Sequence, residues 1–386
     1  MKNFVTLEAV AILVGTIIGA GVFSLPYVAV HSGLNISLRW AVVTGGLVLF
    51  IHLAFGEVVL RTNGNYRLPG YANHYLGKPA YRFLLITTFL MFSFSLLIYL
   101  LMGSQFVHTI IINIFPSAHP SEALILIILW LFFSFFLVLQ EGAASKLNFY
   151  FSFILLALFL IIGILCFSKF NWQVFQGINH FADQPWYLPY GVLFYALNGL
   201  VAVPEAAALL KKHSQEKKLK KVIVLGSLIP LIIYIFFIIA VVGVNGVFTS
   251  PDAVSGLLQV LGRPIVLLGA LLGFLAVATS YLMFAVYIKN SFIYDFKWSP
   301  SLSYLVVILG PLLLYLLNIT ELISVMSLLG GLLGGLEGLV VLFVLNKAKQ
   351  KSDFIPNYQM PWNPFILTVM TIALLAGALI QLGVVL

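Results

Sequence analysis

Charge is what this sequence has least of. Of its 386 residues only 8% are Asp, Glu, Lys or Arg, against 62% hydrophobic. Water-soluble domains carry about 25% charged residues, so a chain of this composition cannot cover a soluble surface. Cysteine is nearly absent as well. The single Cys166 excludes an intramolecular disulfide and leaves the redox compartment open. Clusters of His, Cys, Asp or Glu at metal-ligand spacing are missing, as are a phosphate-cradling glycine loop and a nucleophile–base pair. An enzyme reading therefore has nothing to stand on, and no cofactor is expected. The alternating segments of about 10 residues that mark an outer-membrane barrel are lacking too. The shortage of acids leaves a net charge of +8, but most basic residues lie in loops between apolar runs, which argues against a nucleic-acid surface. Met1 to Leu7 leads straight into a hydrophobic run without an A-x-A-like site, so neither a cleavable leader nor an appended soluble domain is expected.

What is present is apolar sequence in runs of bilayer length. About 20 apolar residues cross a bilayer as a helix. Eleven such runs follow one another, at 5–30, 38–60, 83–113, 122–140, 147–168, 186–210, 222–243, 263–294, 302–317, 321–346 and 363–384. The expected fold class is an all-α polytopic membrane protein, a single transmembrane domain over 1–386 whose partner is the lipid bilayer. Basic residues collect on the cytoplasmic side of such proteins. With the N-terminus inside, all but Arg39, Lys169 and Arg263 of the 20 Lys and Arg fall on that side. The expected location is thus the cytoplasmic membrane. The run "KKHSQEKKLKK" (211–221) becomes a cytoplasmic loop that anchors topology and attracts anionic headgroups. The loop 61–82 should hold a short interfacial helix, and 244–262 a short helix capping an outer vestibule.

The first run contains its own interruption, "GTIIGAGVFSLP" at 15–26. Gly19-Ala20-Gly21 offers little resistance to unwinding, and Pro26 removes a further amide donor. In hydrocarbon every backbone N–H and C=O needs a partner, so breaks persist only against protein or a water-filled cavity. Close packing through small residues would account for these glycines equally well. A second interruption shifts the balance. The sixth run, "YGVLFYALNGLVAVPEAAALL", places Asn198-Gly199, a turn dipeptide, in mid-membrane with Pro204 beyond. Runs one and six open two blocks of five, 1–168 and 186–346, with the eleventh run additional. Five is odd, so the second block inserts inverted. Matching breaks in inverted repeats point to a secondary transporter's binding site.

A break also supplies chemistry. The half-helix after it presents free amides and a positive dipole end, suited to a carboxylate. The half before it ends in free carbonyls, suited to an ammonium group or a small cation. A zwitterion, an amino acid, fits both. In run eight, Ala276, Thr279 and Ser280 share one helical face. Hydroxyls there either bond back to their own helix or offer oxygens to a hard cation.

The stretches "GTIIGAGVFSLPYVAVHSG" (15–33), "GEVVLRTNGNYRLPGYANHYLG" (56–77), "YALNGLVAVPE" (195–205), "LGSLIPLIIYIF" (225–236) and "LAVATSYL" (275–282) resemble the amino acid–polyamine–organocation superfamily. Its hydroxy and aromatic amino acid permeases and amino acid/auxin permeases look most similar. The resemblance runs from the first span to the tenth and implies the LeuT-type fold, a 5+5 inverted repeat with helices 1 and 6 broken. Carried over by position, it implies that the amides of Gly19, Ala20 and Gly21 hold the substrate carboxylate. Carbonyls of Tyr195, Ala196 and Leu197 would receive the ammonium group, with Asn198 and Gly199 bordering the side-chain pocket. Tyr99 and Ser95 of run three are further lining candidates, although a buried Tyr is commonly a packed residue with a satisfied hydroxyl. The carbonyls of Gly15, Ile18 and Ala276, with the hydroxyls of Thr279 and Ser280, match the family's sodium position.

Some proton-coupled relatives place a lysine from run five at that position. Here run five has no basic residue in its interior, and Lys146 sits at its edge. The hydroxyl pair favours Na+ as coupling ion, while aromatic permeases regarded as proton-coupled carry a similar stretch, so both ions stay open. Intramembrane acids are functional suspects. Glu205, after Pro204 on the broken run, is the candidate gate or protonatable group. Glu57 reads as an interfacial carboxylate paired with Arg61, and Glu337 sits among glycines that serve close packing. His52 and His108 read as satisfied core or interfacial groups. The implied function is cation-coupled import of a neutral amino acid, aromatic ones within range, by alternating access. A membrane receptor using the same amino acid site is the alternative; the expected lack of a signalling domain counts against it. A channel would need a charged ring or filter loop, and none is visible.

Overall fold

Helices follow the apolar runs because lipid leaves a spanning backbone no other way to pair its own amides and carbonyls. The computed structural model describes residues 2–64, 66–139, 157, 159–178 and 182–385, and its longer regular elements are all helical. The first span is split into Lys2–Ile17 and Gly21–His31, bent by 53° at the break. The second is Leu34–Arg61, the third Lys78–Ile114 and the fourth Glu122–Leu139. The sixth divides into Leu188–Leu197 and Ala202–Lys212. The seventh is Leu219–Asn245, the eighth Arg263–Asn290 and the ninth Pro300–Leu316. The tenth starts as Leu322–Leu328, widens through a π-turn at Leu329–Gly334 and continues as Gly335–Ala348, and the eleventh is Pro364–Val385. Half of the fifth run, and Lys146 at its edge, lie outside the described residues.

Both long connections contain the short helices expected of them. Leu68–Leu76 forms the short helix of loop 61–82, and turns at Gly246–Phe248 and Ser255–Leu257 lead into Leu258–Leu261 in the 244–262 loop. The third helix starts five residues ahead of its apolar run. Gly77, at φ 84°, ends the interfacial helix, and Pro79 occupies the first turn of the next, where its missing amide is no loss. Lys78 and Arg82 therefore extend the helix beyond the apolar core. Hydropathy marks the membrane; the caps mark the helix.

The spans sort into two packed groups. Spans one, two, six and seven pack on one another, and spans three, four, eight and nine do the same. Each group takes the same positions from both blocks of five. The tenth span packs on the second span, the first half of the sixth, the eleventh and the interfacial helix. Its glycines permit this: a Cβ on Gly334 would lie 2.9 Å from the Phe194 ring, and one on Gly338 would lie 2.8 Å from Ile51.

A carboxylate fastens the lower end of this assembly. Glu57, fully buried, accepts from Arg61 Nε at 2.8 Å, from Lys349 Nζ at 2.7 Å and from the Met360 amide. Tyr358 donates to the Leu53 carbonyl at 2.7 Å, and the amides of Asp353 and Phe354 donate to the Arg61 carbonyl. The linker after the tenth span is thereby strapped across the end of the second. Removing one partner from a buried pair costs more than the pair contributed, because it strands the remaining charges. Glu57→Ala should therefore lower stability by about 3 kcal/mol, measured as unfolding of the purified protein in detergent.

Candidate functional site

The two breaks meet face to face. A Cβ on Gly21 would stand 2.8 Å from that of Ala196, and one on Gly199 would stand 2.6 Å from Ile17. Any larger side chain at either position would push the half-helices apart. Asn198 takes an extended conformation (ψ 115°), and its Oδ1 accepts from the Leu200 amide at 3.2 Å, forming a turn where the helix stops.

Unwinding leaves backbone groups to be accounted for. Among the described residues the amides of Gly19, Ala20 and Gly21 meet no acceptor, and the carbonyls of Gly15, Thr16 and Ile18 meet no donor. The Ile17 carbonyl is taken by the Tyr234 hydroxyl at 2.7 Å, which also lies 3.2 Å from the Ala196 carbonyl. One hydroxyl of the seventh span thus sits between the two breaks. The Gly199 amide donates to His52 Nε2 at 3.1 Å, so the ring proton is on Nδ1, which faces Ser227 Oγ at 2.9 Å. The Tyr195 carbonyl accepts from the Asn198 amide, while that of Leu197 accepts none.

A cavity opens at the breaks, on the seam between the two groups. Gly19, Ala20, Gly21, Tyr195, Ala196 and Asn198 line it from one side, and Ser95 and Tyr99 of the third span from the other. Leu197 and Gly199 are buried and do not line it. The Tyr99 hydroxyl and Ser280 Oγ each lie 3.5 Å from the Cβ position of Gly19. Ser95 spends its proton on the Met91 carbonyl. Phe92, Tyr99, Phe284 and Tyr287 form an aromatic wall, with ring centroids 5.4–5.6 Å apart. A second cavity shares Thr16, Phe92, Val201, Phe284 and Tyr287 with the first and reaches Arg67, Glu205 and Asn290. Arg67 lies over the Tyr287 ring, 4.8 Å from its centroid.

The cation candidates are only partly assembled. Gly15 and Ser280 line the second cavity; Ile18, Ala276 and Thr279 line neither. Thr279 donates to the carbonyls of Leu275 and Ala276, both at 2.9 Å, as threonines in membrane helices often do. Glu205 lines the second cavity and is exposed. Tyr234, His52 and Ser227 were not singled out by their sequence as site residues. Their one signal is polarity within an apolar run, which marks a residue without saying what it faces.

These features define a multi-pass membrane transporter of the LeuT-type fold. The fold is shared with a crystal structure of MhsT in complex with L-phenylalanine, at a TM-score of 0.68 and 14% identity, covering 97% of both chains. It is also shared with Mhp1, a nucleobase-cation-symport-1 family transporter with bromovinylhydantoin bound, at a TM-score of 0.66 and 14% identity, covering 97% of this chain and 91% of that one. Over residues 2–381 the sequence matches the tryptophan/tyrosine permease family. The chain belongs to that family, a branch of the amino acid–polyamine–organocation superfamily. It is also similar to glutamine transporter 2 of Aliivibrio fischeri, 26% identical over 342 residues and 86% of each chain.

Tyr234→Phe removes the hydroxyl and leaves the Ile17 carbonyl buried and unpaired. A stability loss of about 1–3 kcal/mol is expected, measured by thermal unfolding in detergent.

Proposed function

We propose that this chain is a secondary active transporter that imports a neutral amino acid, aromatic ones included, across the cytoplasmic membrane with a coupling cation. The reading rests on one juxtaposition: the free amides of Gly19, Ala20 and Gly21 and the carbonyl end of Leu188–Leu197, at Tyr195 and Ala196, line the same side of one cavity. Amides at a helix start attract a carboxylate and carbonyls at a helix end attract an ammonium group. An α-amino acid carries both groups. The relatives support this substrate class, since one is a glutamine transporter and another was solved with L-phenylalanine.

The second cavity extends the site toward Glu205, Arg67 and Asn290, at the end where the basic loops lie. With the N-terminus inside, that is the way to the cytoplasm. Rocking of one span group against the other would open and close this path while the breaks stay near mid-membrane. The carbonyls of Gly15 and Ile18, left without donors, suit Na+, and the lone pairs of Thr279 and Ser280 could complete its shell. The proton is the competing ion.

Uptake of radiolabelled amino acids by the purified protein in liposomes tests the reading. Accumulation driven by an imposed gradient is expected, and binding without accumulation would make the protein a receptor. Sodium-driven uptake should fall about tenfold or more in Ser280→Ala if the hydroxyl is an ion ligand. Undiminished uptake in sodium-free buffer would sink the sodium assignment. For orientation, a cysteine placed by Lys217→Cys should react with a membrane-impermeant maleimide from the cytoplasmic face alone.

A further inference from the structure

Glu337 is the acid that lines the cavity at the breaks, and the backbone chemistry there does not use it. It stands on the tenth span just past the π-turn, 8% exposed, on the same cavity wall as Phe55, Leu68 and Pro69. Among the described residues it makes no hydrogen bond or ion pair. Lys347 stands in the last turn of the same helix, about 15 Å along its axis, and Lys349 and Arg61 both bind Glu57. His52, on the adjoining second span, is held by Gly199 and Ser227.

A buried carboxyl without a partner is expensive. The cavity is its open side. Its partner therefore arrives with whatever fills the cavity. Met91, Phe92 and Phe284 give the wall a largely apolar and aromatic character, with Thr16, Thr88, Ser95 and Asn198 as its uncharged polar members, which suits the body of a side chain with a polar tip.

We propose that Glu337 accepts a hydrogen bond from the side chain of the bound amino acid, so that the site selects neutral side chains ending in an N–H or O–H donor over isosteres that lack one. The donors meant are a phenol, an indole or a carboxamide. This specificity role rests on the reading of the cavity as an amino acid site. A site built around a buried acceptor rejects the analogue without the donor, because the acceptor is then left unpaired.

The test is displacement binding on the full-length protein purified in detergent. Radiolabelled tyrosine is displaced by tyrosine or phenylalanine, and radiolabelled glutamine by glutamine or methionine. The wild type should favour the donor-bearing member of each pair by about tenfold or more. Glu337→Met should erase that preference while still binding phenylalanine, and Glu337→Gln, which keeps a carbonyl acceptor, should retain most of it. A wild type without preference in either pair overturns the proposal, and this arm needs no folded variant. Preservation of the preference in Glu337→Met overturns it as well. A preference for lysine over norleucine would replace the neutral class with a cationic one and overturns it too. Failure of the wild type to bind any of these amino acids removes both this role and the amino acid site. Donor-selective binding without gradient-driven accumulation sinks the transport reading alone.

Discussion

A backbone amide or carbonyl left unpaired in hydrocarbon costs several kcal/mol, and two spans of this chain leave such groups in the middle of the bundle. The remaining structure is organised around settling that account. Tyr234 from the seventh span serves the carbonyl end of the first break and lies beside that of the sixth. His52 from the second span takes the Gly199 amide. These two side chains hold the broken spans in a group with spans two and seven. The amides of Gly19, Ala20 and Gly21 meet no acceptor among the described residues, and in the proposed function a substrate carboxylate would complete their pairing.

The placement of the site follows from how the helices sort. Spans within each group of four share extended contact, while the cavity lies on the seam, with broken backbone on one side and aromatic side chains on the other. Polar backbone facing an aromatic wall suits an amino acid, whose zwitterionic end and side chain need different surroundings. The proposed rocking would take place at the same seam, since interfaces between packed units reorganise more readily than the units themselves.

Much of this was legible in the sequence, and the legible parts share a cause. Both breaks were visible because Gly-Ala-Gly, Asn-Gly and the following prolines are local signals that need no knowledge of neighbours. The spans were visible through hydropathy. Contacts across long separations were not: Glu57 and Lys349 are 292 positions apart. Tyr234 lies in a span that is apolar nearly all round, so no periodicity says which face turns inward. The same ambiguity affected the acids. Glu205 stood out because it follows a proline on the broken span, yet it is exposed, whereas Glu337, hidden among packing glycines, lines the central cavity. Thr279 was legible as a hydroxyl but not as one already bonded to its own helix.

The strap across Glu57 has a mechanical meaning. The tenth span belongs to neither group of four, yet its lower end is tied to the second span through one carboxylate. A displacement of the second span that left the tenth behind would strip Glu57 of Lys349 and the Met360 amide together. The linker therefore works as a tie-rod that keeps the two spans in step at this end. In the proposed rocking motion, Glu337, carried on the tethered helix, would keep station with the breaks while the aromatic wall moved past both.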